Sequence, residues 1–352
     1  MDLTNRGELI NYLKDSGLWA KKSLGQNFLV DKEELNRIIK TADLKSTDTV
    51  LEIGSGLGTL TQKLSKYAGR VIAVEKDDKM AELLNYKIQS SKSKKDPTSK
   101  TQILNRDILE LDVDDIIDCH PDLPAGEEGS VSGSPIARLG WTEPRSRRKS
   151  GMTEIPDSSA KPQNDRLVVR NDRKKGSYKL VANIPYYITS KILEKFLTAE
   201  NKPELIVLLV QKEVAERICA KPGKMSVLSV AVQYYGQPEI IKIIKASSFF
   251  PEPKIDSAIL RINLKPQTSN LKNMERALFK IVRAGFHARR KTLVNNLMVG
   301  TNLDKKTLSD ILNKIGLSNK VRAQELSISQ WQTLTNLTQT SNLKPQTFNS
   351  KL

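Results

Sequence analysis

The stretch Val50–Gly58 constrains the fold of this 352-residue chain more than any other part of it. It reads V-L-E-I-G-S-G-L-G, a short apolar run joined to three glycines at alternate positions, Gly54, Gly56 and Gly58. The apolar run is typical of a strand buried on both faces, and a helical pattern begins directly afterwards at Thr59. A strand, a glycine turn and a helix in this order bring backbone close to a ligand at the helix N-terminus.

Three residues narrow the choice of ligand, which could be NAD, FAD or S-adenosylmethionine, with a plain strand-to-helix corner as the remaining alternative. A dinucleotide fingerprint has Gly or Ala where this chain has Thr59. Glu52 places a carboxylate inside the strand, where it would repel a pyrophosphate and attract the ammonium of a methionine moiety. Glu75 lies 21 residues after Gly54, about the spacing of an acid that binds ribose hydroxyls. The pattern therefore favours a nucleoside-containing ligand, and methionine over pyrophosphate.

Predicted strands and helices alternate through the first 265 residues, which predicts an α/β fold with a mostly parallel, Rossmann-like sheet. After a polar linker, residues 272–340 form a small helical domain, and residues 341–352 form a frayed tail. The segment 226–235 fits either a helix or a strand. The predicted strands are 50–53, 70–74, 101–104, 178–182, 205–210, 239–245 and one that ends at 262; the predicted helices include 32–42, 59–67, 77–90, 211–220, 274–284, 289–298, 305–315 and 329–337.

Residues 120–176 interrupt this alternation with a segment rich in Gly, Ser, Pro and charge. Such a composition offers almost nothing for a core and predicts a disordered or poorly ordered insertion. A tolerated surface loop is favoured over a flexible basic RNA tether or a partner-binding tail, because long surface loops cost little conformational entropy.

Composition limits the classes of function. The two cysteines, Cys119 and Cys219, lie too far apart in sequence for a disulfide framework or a metal site, and they are compatible with a reducing cytosol. The two histidines, His120 and His287, are too few and too isolated to bind a metal. No apolar run approaches the roughly 20 residues of a membrane span.

Net charge points to a polyanionic partner. The chain carries a formal charge of +17, and residues 251–352 alone hold 17 basic and 6 acidic side chains, a net +11. A surplus of this size on one part of a protein suggests nucleic acid. The cluster Arg289-Arg290-Lys291, although it could be a solvated helix face, is predicted to contact phosphates.

The motif Asn183-Ile184-Pro185-Tyr186 follows a predicted strand, and in an open parallel sheet ligands bind at the carboxyl ends of strands. Asn supplies a side-chain acceptor, Pro fixes the turn, and Tyr offers a flat face for a base. This set suits the exocyclic amine of adenine, whose lone pair is delocalised into the ring. Acceptors at Asn183 and at a backbone carbonyl beside Pro185 could hold both N–H groups, so catalysis would act through positioning. A strand-ending turn with a packed Tyr is the alternative.

Eight sequence blocks, in order from about residue 20 to residue 335, resemble the ribosomal RNA adenine dimethyltransferase family, and most closely its bacterial small-subunit branch. An ordered set of this kind is far more specific than any single motif. The blocks are L-G-Q-N-F-L, V-L-E-I-G-S-G-L-G-T-L-T, V-I-A-V-E-K-D, N-R-D, N-I-P-Y-Y-I-T-S, V-Q-K-E-V-A-E-R, F-P-E-P-K-I-D-S-A and F-H-A-R-R-K-T-L.

The resemblance implies a class I methyltransferase that binds S-adenosylmethionine and adds two methyl groups to N6 of each of two adjacent adenines near the 3′ end of small-subunit rRNA. It implies a cytoplasmic, monomeric enzyme in 30S subunit maturation that uses no metal and no membrane. The cofactor residues that it implies are Asn27 and Leu29 from the N-terminal arm, Gly54 and Gly56 with Glu52 nearby, Glu75 at the ribose, Asp107 at the cofactor's adenine amine with Ile108 alongside, and Asn183.

The resemblance also assigns residues to the target base. Asn183 touches both the cofactor and the target amine, and Tyr186 stacks on the flipped adenine, as base-modifying enzymes require. Phe249 is the expected second aromatic wall, with Phe250 as the alternative one position further on.

The insertion at 120–176 departs from the family's usual short connection, but the motifs on both sides are intact, so activity is expected. Two alternatives stay open: a resistance-type methylase acting on a large-subunit adenine, and a catalytically idle RNA-binding or assembly factor.

Overall fold

The structure, a computed structural model, describes residues 2–21, 24–90, 100–118, 177–266 and 272–342. The predicted insertion 120–176, with His120, and most of the predicted tail lie outside the described residues, as does Cys119.

A seven-stranded mixed sheet forms the centre of the described structure, in the order β4-β3-β2-β5-β6-β9-β7. The first five strands in this order are parallel, and β9 pairs antiparallel with both β6 and β7. The predicted α/β class with a mostly parallel sheet is therefore confirmed. The strands are β2 (Thr49–Ile53), β3 (Arg70–Glu75), β4 (Thr101–Asn105), β5 (Tyr178–Asn183), β6 (Leu205–Gln211), β7 (Gly236–Ile244) and β9 (Ser257–Leu264).

Helices pack on this sheet through amphipathic faces, and several begin where a side chain caps the first turn. The Asp31 carboxylate accepts from the backbone N–H groups of Glu33 and Glu34, as the sequence predicts. The ambiguous segment 226–235 is helical from Val227, because Ser226 and Ser229 form a capping box. The helices before residue 236 are α1 (Arg6–Asp15), which packs in a separate cluster with Leu57, and α2 (Lys32–Ala42), α3 (Thr59–Tyr67), α4 (Asp78–Ser90), α5 (Val113–Asp118), α6 (Thr189–Thr198), α7 (Lys212–Ile218) and α8 (Val227–Tyr235).

A second, two-stranded sheet fixes the N-terminal arm and was not predicted. Strand β1 (Phe28–Leu29) pairs antiparallel with β8 (Phe249–Phe250), so that Phe28 lies opposite Phe250 and Leu29 opposite Phe249. Two-residue strands carry too little periodicity for sequence patterns to reveal them.

Four further helices complete the chain: α9 (Lys272–Gly285), α10 (Leu293–Gly300), α11 (Lys305–Lys314) and α12 (Ile328–Asn342). They surround the fully buried Trp331 in a hydrophobic cluster that also includes Met225 and Val230 of the segment around α8. The predicted helix start at Arg289 is wrong, because α10 begins at Leu293 and residues 289–291 lie in the preceding turn. The domain boundary predicted at 265–272 falls partly on residues 267–271, which are not described, and stays a prediction.

Candidate active site

A pocket of about 340 Å³ lies where β2, β3, β4 and β5 end. Residues from all four strand ends and from the N-terminal arm line it, which is the ligand position expected for an open α/β sheet. Except for Phe249, every residue predicted to contact cofactor or target base lines this one pocket: Asn27, Leu29, Glu52, Gly54, Gly56, Glu75, Asp107, Ile108, Asn183, Pro185 and Tyr186.

The glycine turn needs glycines for its backbone conformation. Gly54, Gly56 and Gly58 have φ angles of +71°, +52° and +80°, in the region that disfavours residues with a Cβ. A Cβ on Gly54 would lie 3.6 Å from the backbone oxygen of Asn183, so the turn after β2 and the end of β5 are close neighbours. At Gly58 a Cβ would come within 2.3 Å of the Leu84 side chain, so a larger residue there would force the Leu84 side chain on α4 to shift.

The Glu75 carboxylate ties the glycine turn to the end of β3. Its two oxygens accept hydrogen bonds from the backbone N–H groups of Gly56 at 2.7 Å and Asp77 at 2.8 Å. Burial raises the pKa of Glu75, although these two hydrogen bonds oppose the shift. The carboxylate thus holds the turn in place at the position expected to face ribose hydroxyls.

Glu52 is a buried acid that lacks a full set of partners. Its side chain lies in the pocket wall, the residue is 1% exposed, and its Oε2 finds no hydrogen-bond partner in the described part of the chain. Burial, with a smaller contribution from the negative charge of Glu75, raises the pKa of Glu52 to about 8. Such an acid favours a cationic group beside it, since a buried charge is costly unless it is paired.

Asp107 lines the pocket after β4 in an ionised form. Burial opposes ionisation, but the ammonium of Lys76 at 2.7 Å and the backbone N–H of Leu109 at 3.0 Å lower the pKa of Asp107. The pairing of Lys76 with Asp107 was not foreseen, because the two residues are 31 positions apart in sequence.

Asn183 ends β5 and contacts the N-terminal arm. Its amide nitrogen donates to the backbone oxygen of Asn27 at 3.1 Å. An amide nitrogen donates and does not accept, so the side-chain oxygen of Asn183 is the atom that can accept from a ligand amine.

Two tyrosines follow in a 3₁₀ turn that starts after Pro185. The hydroxyl of Tyr186 lies 2.6 Å from that of Ser257, and burial raises the pKa of Tyr186, so the ring is anchored as a neutral phenol. Tyr187 also lines the pocket but is 60% exposed, and sequence reasoning assigned it no role. The second tyrosine directly after the N-I-P-Y motif was the sequence signal that could have identified it.

Phe249 does not reach the pocket, which corrects the expectation that it forms a wall for the target base. Its side chain is fully buried in the hydrophobic core beside Leu29, its partner in the β1–β8 pair. The alternative, Phe250, packs in a separate cluster with α1, and the guanidinium of Arg6 lies 5.5 Å from its ring centroid. Neither ring lines the pocket.

The basic cluster Arg289-Arg290-Lys291 is exposed in the turn between α9 and α10. Asn296, which is buried on α10, donates from its amide to the backbone oxygens of Gly285 at 2.6 Å and Ala288 at 3.0 Å. The buried Asn296 side chain therefore fixes the backbone of the turn, while the three cationic side chains face solvent.

The described residues contain neither a metal-type cluster nor a membrane-spanning helix. Within the residues that the structure describes, no three or more His, Cys, Asp or Glu side chains group together as metal ligands would. None of the described helices combines the length and apolarity that crossing a bilayer requires.

The fold is that of the class I methyltransferases, as two solved structures show. A crystal structure of the 23S rRNA methyltransferase ErmE matches with a TM-score of 0.59 and 20% identity, covering 89% of this chain and 99% of that one. A dimethyladenosine transferase from Plasmodium falciparum matches with the same TM-score at 23% identity, over 86% of this chain and 94% of that one.

The family follows from sequence comparison. A family model described as ribosomal RNA adenine dimethylase matches residues 17–340. A ribosomal RNA small subunit methyltransferase A from Dehalococcoides mccartyi (strain ATCC BAA-2266) is 37% identical over 318 residues, which are 90% of this chain and 88% of the relative. The protein of the same name from Bacillus cereus (strain B4264) is 33% identical over 340 residues, 95% and 97% of the two chains. The chain belongs to the ribosomal RNA adenine dimethylase family.

Proposed function

We propose that this chain transfers methyl groups from S-adenosylmethionine to N6 of two adjacent adenines near the 3′ end of small-subunit rRNA in a 30S particle. The observation that carries the proposal is the closeness of the glycine turn to the end of β5. A Cβ on Gly54 would lie 3.6 Å from the backbone oxygen of Asn183. A methyl donor held by the turn and an amine held at Asn183 would therefore be direct neighbours, and such positioning supplies much of the catalysis of a two-substrate reaction.

The pocket residues fit S-adenosylmethionine. The Oε2 of Glu52, which has no hydrogen-bond partner among the described residues, suits the ammonium of the methionine part, and the glycine turn presents backbone rather than side chains to the cofactor. Glu75 would bind the ribose hydroxyls and Asp107 the adenine amine, with Ile108, Leu29 and Asn27 alongside. When bound, this cofactor supplies an electrophilic methyl group.

The residues after β5 would prepare the target amine. The side-chain oxygen of Asn183 and a backbone oxygen beside Pro185 would accept its two N–H bonds, which localises the nitrogen lone pair towards the methyl donor. Tyr186 would stack on the flipped adenine. The hydrogen bond between its hydroxyl and that of Ser257 holds the ring in a fixed position. As the nitrogen–methyl bond forms and the methyl–sulfur bond breaks, the methylated amine would carry a positive charge. It would then lose its proton to solvent, since no strong base is needed for so acidic an intermediate.

RNA affinity would come mainly from the basic turn. The exposed Arg289, Arg290 and Lys291 would contact phosphates, because neutralised phosphates release counterions and so drive binding. We also propose that the protein acts as a monomer in the cytoplasm, where ribosomal subunits are assembled. The names of the relatives at 33% and 37% identity support the small-subunit substrate.

The test is transfer of labelled methyl groups to 30S particles that lack the modification, with 50S particles assayed in parallel. The proposal expects label in small-subunit rRNA only, and none with the Asn183→Ala variant. Label in large-subunit rRNA would identify a resistance-type methylase instead. RNA binding without any transfer would identify an assembly factor.

A further inference from the structure

The N-terminal arm, defined here as residues 24–29, forms one wall of the pocket. Each of its six residues lines the pocket. At its far end the arm is secured by the β1–β8 pair and by the Val30 N–H, which donates to the backbone oxygen of Ser248 at 2.8 Å. The N-terminal end of the arm, its near end, lies outside both sheets, so side-chain contacts must hold it against the rest of the protein.

A closed ring of three residues holds the near end. The Asp77 side chain is 1% exposed, and its Oδ2 lies 2.8 Å from the Lys21 ammonium and 3.3 Å from the amide nitrogen of Gln26. The Lys21 backbone N–H donates to Oε1 of Gln26 at 2.8 Å, which closes the ring. Because a buried carboxylate is costly unless it is paired, Asp77 draws Lys21 and the arm residue Gln26 onto the start of α4.

Asp77 also contacts the part of the pocket that is expected to bind the cofactor. The Asp77 backbone N–H donates to Glu75 at 2.8 Å. Residue 77 therefore joins the acid at the end of β3 to the arm that covers it.

From this ring the arm leads directly to Asn183. The backbone oxygen of Asn27 accepts from the Asn183 amide nitrogen, and the Asn27 side chain donates to the Gly25 oxygen at 3.1 Å. Gly25 has a φ angle of +62°, and a Cβ there would lie 3.3 Å from the Pro185 side chain. The arm is thus fitted against the N-I-P-Y motif, and its position sets which way the Asn183 amide faces.

We infer that Asp77 is a positioning residue for methyl transfer, which acts through Lys21 and Gln26 to hold the arm over the cofactor and to orient Asn183. The inference rests on the proposed function, because the role of Asn183 is assigned there. Asp77 itself touches the arm and the backbone, so its effect reaches the reacting atoms only through these partners.

Three variants each break the ring at a different residue: Asp77→Asn, Lys21→Met and Gln26→Leu. Asn retains the size of Asp and is a good helix N-cap at the residue before α4. Each variant should raise the dissociation rate of S-adenosylhomocysteine roughly tenfold and lower kcat by a similar factor, the usual range for losing a hydrogen bond to a charged group. KM for the RNA substrate should stay unchanged. The double variant Asp77→Asn/Lys21→Met should be no worse than either single one, since both break one network.

Asp48→Asn is the matched control, because it removes another Lys–Asp pair of the same 2.8 Å length, with Lys179, away from the pocket. Hydrogen exchange should accelerate in residues 24–29 of the Asp77 and Lys21 variants but not in the Asp48 variant. Lys21 has a side chain that is 49% exposed, so its variant folds even if substitution at Asp77 prevents folding.

Unchanged ligand dissociation in the Lys21 and Gln26 variants, or an equal change in the Asp48 control, would overturn the inference. Ligand dissociation and hydrogen exchange are measured without RNA. A wild-type protein that methylates no rRNA would therefore refute the proposed function while the arm measurements still decide the role of Asp77.

Discussion

The buried carboxylate of Glu52 should make the unliganded protein less stable as the pH rises. Its pKa is about 8 in the folded protein, against an ordinary value of 4.5. A carboxyl group whose pKa is raised on folding keeps its proton in the folded state. Its contribution to stability is therefore complete below pH 4.5 and is lost as the pH rises from there through 8.

The loss can be worked out from these two pKa values. Proton linkage gives a free energy of unfolding lower by about 1 kcal/mol at pH 5, about 3 kcal/mol at pH 7 and about 5 kcal/mol at pH 9, relative to strongly acidic solution. Glu52 is 1% exposed, so solvent screening does not reduce these values much. Glu52→Gln keeps the shape of the protonated acid without the titration and should remove this dependence.

Urea unfolding of the unliganded wild type and the Glu52→Gln variant at pH 5, 7 and 9 measures the effect. The difference in unfolding free energy between the two proteins should grow by about 4 kcal/mol from pH 5 to pH 9 in favour of the variant. Glu82→Gln, at an exposed site on α4, should follow the wild type at every pH. A difference between wild type and the Glu52 variant that stays constant with pH would refute the reasoning about the buried acid.

Three further predictions concern catalysis, packing and RNA binding. Asn183→Ala should lower methyl transfer at least 100-fold, with a smaller loss of cofactor affinity, because it removes an acceptor for the target amine; single-turnover kinetics and calorimetry measure the two effects. Gly58→Ala should destabilise the protein by about 1–3 kcal/mol in urea unfolding, because φ is +80° and the added Cβ meets Leu84. Replacing residues 289–291 by glutamine should weaken RNA binding and reduce the slope of log K against log salt by about 2 to 3.

Each of these predictions has a control or a contradicting result. The control for the basic turn replaces three exposed lysines at the two ends of α11 by glutamine: Lys305, Lys306 and Lys314. This variant should change the slope of log K against log salt less than the 289–291 variant does. An unaltered slope in the 289–291 variant would remove the electrostatic role of the turn. Cofactor affinity that falls as much as transfer in Asn183→Ala would contradict the role given to its side-chain oxygen, and a Gly58→Ala protein as stable as wild type would contradict the packing argument.

Much of the fold could be predicted because strong local patterns and tertiary structure agree. The apolar run before Gly54 and the periodic helix from Thr59 need no long-range information, and the observed α3 begins and ends where the pattern does. The mixed character of the sheet was harder, since the antiparallel pairing of β9 with β6 depends on contacts between distant segments. The start of α10 was misplaced because Arg and Lys are good helix formers, whereas Asn296 holds the preceding turn through its backbone oxygens.

The candidate site was predictable where a motif fixes both residue type and position. The glycine turn, Glu75 and the N-I-P-Y motif come together in one pocket because strand ends of a parallel sheet meet at one edge. Phe249 was misjudged because its motif says nothing about which face of a two-residue strand is buried. The partnership of Lys21 and Gln26 with Asp77 could not be read from sequence, because it depends on how the arm folds back over more than 50 residues.

The most direct test of the central claim is to map the methylated nucleotides in small-subunit rRNA from cells that have this gene as their only source of the activity. The account predicts N6,N6-dimethyladenosine at two adjacent positions near the 3′ end, found by mass spectrometry of rRNA fragments, and unmodified adenine at both when Asn183 is replaced by alanine. Unmodified adenines with the wild-type gene, or modification that survives the Asn183 replacement, would contradict it.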